Sequence, residues 1–170
     1  MAKGKILIIT YNHVEDVELL YPYFRLIEEG YEVHVASKSK GFIKGKHGYE
    51  IKVDITFDEV NPEEYVGLII PGGRAPEYIR TYPELERIVR YFFETNKPVA
   101  AICHGPLVLT AFGLLKGRKA TCYVAVKPDL IACGANYVDA EIVVDGNLVT
   151  SRAWPDLPAF MKEFIKLLKK

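Results

Sequence analysis

Short apolar runs recur along this chain, and most lead into segments where apolar residues return every third or fourth position. The runs are Lys5–Thr10, Tyr31–Ser37, Val66–Ile70 and Pro98–Ile102. They are too short for buried helices and too continuous for strands with one wet face, so they predict strands buried on both sides. The periodic segments predict a helix from about Val14 to Glu29, closed by Gly30, and another from about Pro83 to Thr95. Leu107–Leu115 is apolar on every side, as a buried helix is, with Gly117 ending it, and Lys127–Cys133 reads as a short helix. The last helix, about Asp156 to Leu168, puts Leu157, Phe160, Met161, Phe164, Ile165 and Leu168 on one face. Gly41–Asp54, punctuated by Gly45 and Gly48, predicts a hairpin or loop excursion, and Asp139–Ser151 a strand pair about the Asp145-Gly146 turn.

Continuous apolar strands alternating with helices define an α/β domain with a mostly parallel sheet covered on both faces. Ligands in such sheets bind beyond the carboxyl ends of the strands. Three loops leave those ends, Tyr11–Glu15, Pro71–Glu77 and Cys103–Pro106, and the chemistry is expected where they converge.

Composition narrows the classes. A chain of 170 residues is one domain by length. Its 22 basic and 22 acidic residues balance, with no basic tract, so neither nucleic acid nor an anionic membrane is expected as a partner. The uncharged stretch Pro98–Leu115 is interrupted by His104, Gly105 and Pro106 and is rejected as a membrane span. The N-terminal apolar run, Ile6 to Ile9, is too short for a signal peptide. Three cysteines, Cys103, Cys122 and Cys133, form neither a disulfide framework nor a paired zinc motif, which fits a reducing cytoplasm and no metal or other cofactor.

The chemical signal lies where Pro98–Ile102 gives way to the helix after it. Ala101-Ile102-Cys103-His104-Gly105 follows the small-x-nucleophile-x-Gly pattern of a nucleophile elbow, with cysteine as the nucleophile. A helix start beside the thiol favours its ionised form and predicts a thiolate at neutral pH. Glu15 has two readings: with Asn12 it fits a capping box, or it reaches over the sheet edge to the Cys103 sulfur as a protonated hydrogen-bond donor. Glu18 and Asp16 read as acids serving the helix dipole. In Pro71-Gly72-Gly73, the N–H groups of Gly72 and Gly73 are free of side-chain obstruction; one N–H from this loop and the His104 N–H would make a two-donor oxyanion hole.

A hydrolytic cysteine needs a base and a group to orient it. His104 is the first candidate, yet neighbouring residues on a helix diverge in direction, so its contact with Cys103 does not follow from the sequence. His13, His34 and His47 are alternatives, and Glu77 is the best loop carboxylate to orient an imidazole.

Several segments in order resemble the PfpI family of intracellular cysteine proteases. They are Glu15-Asp16-Val17-Glu18, Gly45-Lys46-His47-Gly48, Pro71-Gly72-Gly73-Arg74-Ala75-Pro76-Glu77, Ala101-Ile102-Cys103-His104-Gly105-Pro106, Asp139-Ala140-Glu141, and Ser151-Arg152 with Asp156-Leu157-Pro158-Ala159-Phe160. The resemblance implies a flavodoxin-like three-layer sandwich within the glutamine-amidotransferase-like superfamily, which also holds a protein deglycase. It implies Cys103 as nucleophile, Glu15 as the protonated partner of its thiolate, and a triad completed by His104 and Glu77. Glu77 would come from a neighbouring subunit of a homo-oligomer, a hexamer built from dimers, and Tyr123 would line the pocket. The chain departs from the family at Ala153-Trp154-Pro155 and Val124-Ala125-Val126, which bears on substrate preference. The leading reading is a peptidase in which Cys103 attacks a peptide or amide carbonyl. The alternative is a deglycase or glyoxalase that attacks methylglyoxal or its protein adducts, and a third reading is a redox sensor or holdase.

Overall fold

The computed structural model describes residues 2–170. In chain order its elements are β1 (Lys5–Ile9), α1 (Asp16–Glu29), β2 (Glu32–Ser37), β3 (Gly41–Lys44), β4 (Glu50–Val53), β5 (Ile55–Thr56), β6 (Gly67–Ile70), α2 (Ala75–Ile79), α3 (Glu84–Glu94), β7 (Val99–Ile102), α4 (Pro106–Ala111), β8 (Lys119–Ala120), α5 (Lys127–Ala132), β9 (Asn136–Tyr137), β10 (Val143–Asp145), β11 (Leu148–Ser151) and α6 (Leu157–Leu168). Seven strands form one sheet in the order β10-β11-β7-β6-β1-β2-β5. Every pairing in it is parallel except the hairpin of β10 with β11.

Successive residues of a strand face opposite sides, and the two cores follow that alternation. Leu7, Ile9, Leu68, Ile70 and Ala101 pack with Ile88 and Phe92 of α3, Val108 of α4 and Leu130 of α5. Ile6, Ile8, Ile69, Ala100 and Ile102 pack with Leu19 and Leu26 of α1 and Phe160 and Phe164 of α6. The result is a flavodoxin-like three-layer α/β sandwich. Strand and helix positions match the periodic reading closely. Leu107–Leu115 differs: α4 stops at Ala111 because Gly113 and Gly117 take left-handed conformations (φ 70° and 76°) and carry the chain away in turns. The Pro71–Glu77 loop likewise contains the start of α2.

The carboxyl ends of β1, β6 and β7 lie side by side in the sheet, so their three loops meet above one edge. Gly105 is required there, since a Cβ at that position would overlap the Ile70 carbonyl oxygen at the end of β6. Among the described residues, no helix is long and apolar enough to cross a membrane.

Candidate active site at the end of β7

Cys103 ends β7 and turns the chain into α4 with φ 63°, a left-handed conformation that a non-glycine residue holds only under strain. Its N–H is tied to the Ser151 carbonyl at 3.1 Å, and its own carbonyl accepts the Tyr123 N–H at 3.0 Å. Such a corner is the geometry of a nucleophile elbow. The corner also settles the relation to His104. The divergence of neighbouring side chains holds inside a helix, but Cys103 precedes α4, and the His104 Nδ1 lies 3.2 Å from the sulfur. The imidazole stacks on the Tyr123 ring, centroids 5.1 Å apart and planes at 25°. Burial pushes the His104 pKa down, so the ring is neutral at pH 7 and its Nδ1 can accept the thiol proton.

The carboxyl beside the sulfur belongs to Glu18. Its side chain is fully buried; Oε1 accepts the Gly72 N–H at 2.8 Å, and the group interacts with the Cys103 side chain. Burial is the main cause that pushes its pKa from 4.5 up to about 8, so it carries a proton at neutral pH. Glu15 instead caps the start of α1 through its backbone. Its carboxylate faces the hairpin turn, 3.0 Å from His47 Nε2 and 3.4 Å from Lys46 Nζ. The capping box is not formed either, because Asn12 Oδ1 accepts the Lys44 N–H. Two structural reasons separate the two acids. Glu15 has extended backbone outside the helix, whereas Glu18 sits one turn before Pro22 and two before Leu26, both buried on the core face. An acid on that apolar stripe was the sequence signal for Glu18.

Burial is also the largest influence on Cys103 and, with the Glu18 charge second, pushes the thiol up to about 12. The expected lowering by the helix start does not dominate, since α4 begins only at Pro106 and the residue is 8% exposed. Two N–H groups, of Gly73 and His104, point at the sulfur and oppose the rise. With Glu18 protonated its repulsion is absent and its O–H becomes available to the sulfur, and both effects bring the thiol below the value it has beside a charged Glu18.

The glycines divide their work. The Gly72 N–H is committed to Glu18, and a Cβ on Gly72 would come within 2.6 Å of Glu18 Oε1 and 2.7 Å of Cys103 Cβ. Gly73 (φ 74°) lies so close to the backbone of His13 and Glu15 that only glycine fits, and its N–H faces the sulfur. The available oxyanion donors are therefore Gly73 and His104. Glu77, on α2, makes a long 3.5 Å contact with Arg74 Nη2 and no hydrogen bond with His104 within the chain, although its charge raises the His104 pKa. His34 bonds Tyr65 and Glu32 and lies outside the site. Among the described residues, no cluster of His, Cys, Asp or Glu is placed to hold a metal ion.

A cavity of about 250 Å³ opens over the sulfur, lined by Glu18, Lys46, Arg74, Tyr123 and Trp154 among others. A strained cysteine at a strand-to-helix corner, with an imidazole, a protonated carboxyl and two N–H donors around it, defines a cysteine-nucleophile site on a flavodoxin-like sheet. The chain belongs to the DJ-1/PfpI family, whose pattern it matches over residues 4–167. It is 57% identical to Deglycase PH1704 of Pyrococcus horikoshii over 97% of this chain and 99% of that one. It is 42% identical to YraA of Bacillus subtilis, named there as a candidate cysteine protease, over 97% and 98% of the two chains. The solved structure of Drosophila melanogaster DJ-1beta superposes with a TM-score of 0.90 at 28% identity, covering 100% of this chain and 92% of that one.

Proposed function

We propose that this protein is a Cys103-dependent deglycase and glyoxalase of the cytoplasm that acts on methylglyoxal and its adducts. The observation that carries the reading is the buried, protonated Glu18 beside Cys103 in a cavity of about 250 Å³. The cavity suits a small carbonyl compound, and a carboxyl with a pKa near neutrality exchanges protons in both directions. The relative from Pyrococcus horikoshii, which bears the name deglycase, supports the same reading.

In this scheme the thiol proton passes to His104 Nδ1 and the sulfur attacks the aldehyde carbon of methylglyoxal. When the substrate is an adduct, the sulfur displaces the amine at that carbon. Either route gives a hemithioacetal, and its oxygen lies toward the Gly73 and His104 N–H groups. In forming the hemithioacetal Glu18 gives its proton to that oxygen or to the departing amine. As a carboxylate it then moves the proton from the former aldehyde carbon to the neighbouring carbonyl carbon, while the His104 proton goes to the carbonyl oxygen and the hydroxyl proton returns to the acid–base pair. This converts the hemithioacetal to a lactoyl thioester without an outside oxidant. Water then releases lactate and the free thiol. The two N–H donors also suit a tetrahedral intermediate at an amide, and with the name of the Bacillus relative this supports peptidase activity as a second reading.

The assembly proposal extends the site. A homo-oligomer, from dimer to hexamer, would bring Glu77 of a neighbouring subunit to the outer nitrogen of His104. Light scattering tests it: a monomer with full activity removes Glu77 from the machinery. The activity test compares wild type with Cys103→Ala on methylglyoxal consumption, lactate release and hydrolysis of a fluorogenic peptide. Lactate formation lost in the variant is the expected result. Cys103-dependent peptide hydrolysis without lactate formation establishes the peptidase instead, and no Cys103-dependent turnover of either substrate sinks both.

A further inference from the structure

The hairpin of β3 and β4 contributes a turn, Gly45-Lys46-His47-Gly48, whose role the catalytic residues leave unexplained. It is held against the start of α1 with unusual firmness. The buried Asp16 carboxylate accepts the N–H of His47 at 2.8 Å and of Tyr49 at 3.1 Å, and the Lys46 N–H donates to the Val14 carbonyl at 2.8 Å. Gly45 lies so near the Asp16 carboxylate that a Cβ there would overlap it. A turn anchored by three backbone bonds to another element brings its one long side chain to a set place. Lys46 there lines the catalytic cavity with Arg74 from the opposite loop.

We propose that Lys46 and Arg74 form an anion-receiving rim over Cys103, which takes the carboxylate of the 2-hydroxy acid product and of carbonyl substrates that bear an anionic group next to the reacting carbon. The assignment of these substrates rests on the deglycase reading; the anion preference itself does not. Two basic and two carboxyl side chains face the cavity besides Cys103 and His104. Lys46 and Arg74 are cationic, Glu15 is anionic and paired with Lys46, and Glu18 is protonated. The balance is one net positive charge before the sulfur ionises. The Lys46–Glu15 contact is 3.4 Å and the Arg74–Glu77 contact 3.5 Å, both with the cation more than half exposed, so neither pair holds its cation strongly against an incoming carboxylate. The charge of Lys46 also reaches inward, since it opposes the rise of the Glu18 pKa and contributes to the lowering at His104.

Alkylation of Cys103 by iodoacetate and by iodoacetamide tests the rim without need of turnover. The two reagents differ in charge and little in size. In each case the S–C bond forms, the C–I bond breaks, iodide leaves and the thiol proton goes to solvent. Cys103 is followed by peptide mass spectrometry, with Cys103→Ser as the blank. The ratio of the iodoacetate rate to the iodoacetamide rate is the quantity read, so any general change in thiol reactivity cancels. Lys46→Gln is expected to lower the ratio about five- to tenfold, and Lys46→Arg to restore most of it. Glu15→Gln is expected to move it the other way, because it removes the competing anion. A ratio that does not change in Lys46→Gln, or that falls in Glu15→Gln, overturns the proposal. Wild type that makes no lactate yet keeps the charge-dependent ratio refutes the deglycase reading and leaves the rim in place.

Discussion

Glu18 shows how one buried side chain couples chemistry to stability. Its pKa rises from 4.5 to about 8 on folding, chiefly through burial. Below pH 4.5 both folded and unfolded chains hold this proton. Between 4.5 and 8 only the unfolded chain releases it, so the group's contribution to stability falls as pH rises, by about 1.4 kcal/mol per pH unit at most. Above 8 the loss is complete. Glu18→Gln removes the titration, and the stability of wild type relative to the variant is expected to decline between pH 5 and 8 in urea melts. A difference that stays flat over that range contradicts a buried, protonated Glu18. The same charge acts on the sulfur. Wild-type Cys103 alkylation by iodoacetamide is expected to rise less steeply above pH 8 than in Glu18→Gln, and superimposable profiles would remove Glu18 from the sulfur's surroundings. The residue scale is also where the sequence was hardest to read. Glu15 and Glu18 lie within one turn of each other, and choosing between them required knowing where α1 begins. Because the helix starts at Asp16, Glu18 rather than Glu15 points into the core.

At the scale of elements, the β3–β4 hairpin matters as much as the elbow. Its place in the chain was legible from Gly45 and Gly48, but its job was not, because Asp16 reads as an ordinary helix-start acid until the turn is seen wrapped around it. Asp16→Ala removes the acceptor of two N–H groups. It is expected to cost about 2–4 kcal/mol in chemical denaturation and to lower the iodoacetate preference of Cys103, since Lys46 is then no longer held over the cavity. An unchanged preference with the stability loss present would assign Asp16 a structural role alone. The elbow itself was readable, as Ile102-Cys103-His104-Gly105 carries its pattern in five consecutive positions with Ala101. The His104 contact was not, because it depends on the φ of 63° at Cys103, a backbone state that the neighbouring structure imposes.

For the whole molecule, the two cores make the sheet a rigid base for three loops. Phe160 and Phe164 of α6 are fully buried beneath one face, beside Ile6, Ile8 and Ile102. Phe160→Ala is expected to destabilise the fold by about 3–5 kcal/mol in calorimetry or urea melts, while Cys103 keeps its iodoacetate-to-iodoacetamide ratio as long as the chain is folded. A change in that ratio would mean that the site depends on the far core more than the rigid base implies. Val17, Tyr21, Phe24 and Ile27 leave an exposed apolar stripe along α1.

Local pattern alone left β5, β8, β9 and α2 unread. It determined the α/β class, the longer strands and helices, the corner at Cys103 and the three loops that carry the chemistry. Those features depend on residues close together in the chain, whose apolar spacing and turn preferences set the backbone. Only the tertiary structure decided which carboxyl meets the sulfur, which glycine N–H remains available, and which cation overlooks the cavity. Each of those depends on contacts between segments far apart in sequence, such as Gly72 with Glu18 and Asp16 with His47. Burial at those contacts, rather than the helix start beside Cys103, governs how the site holds its protons.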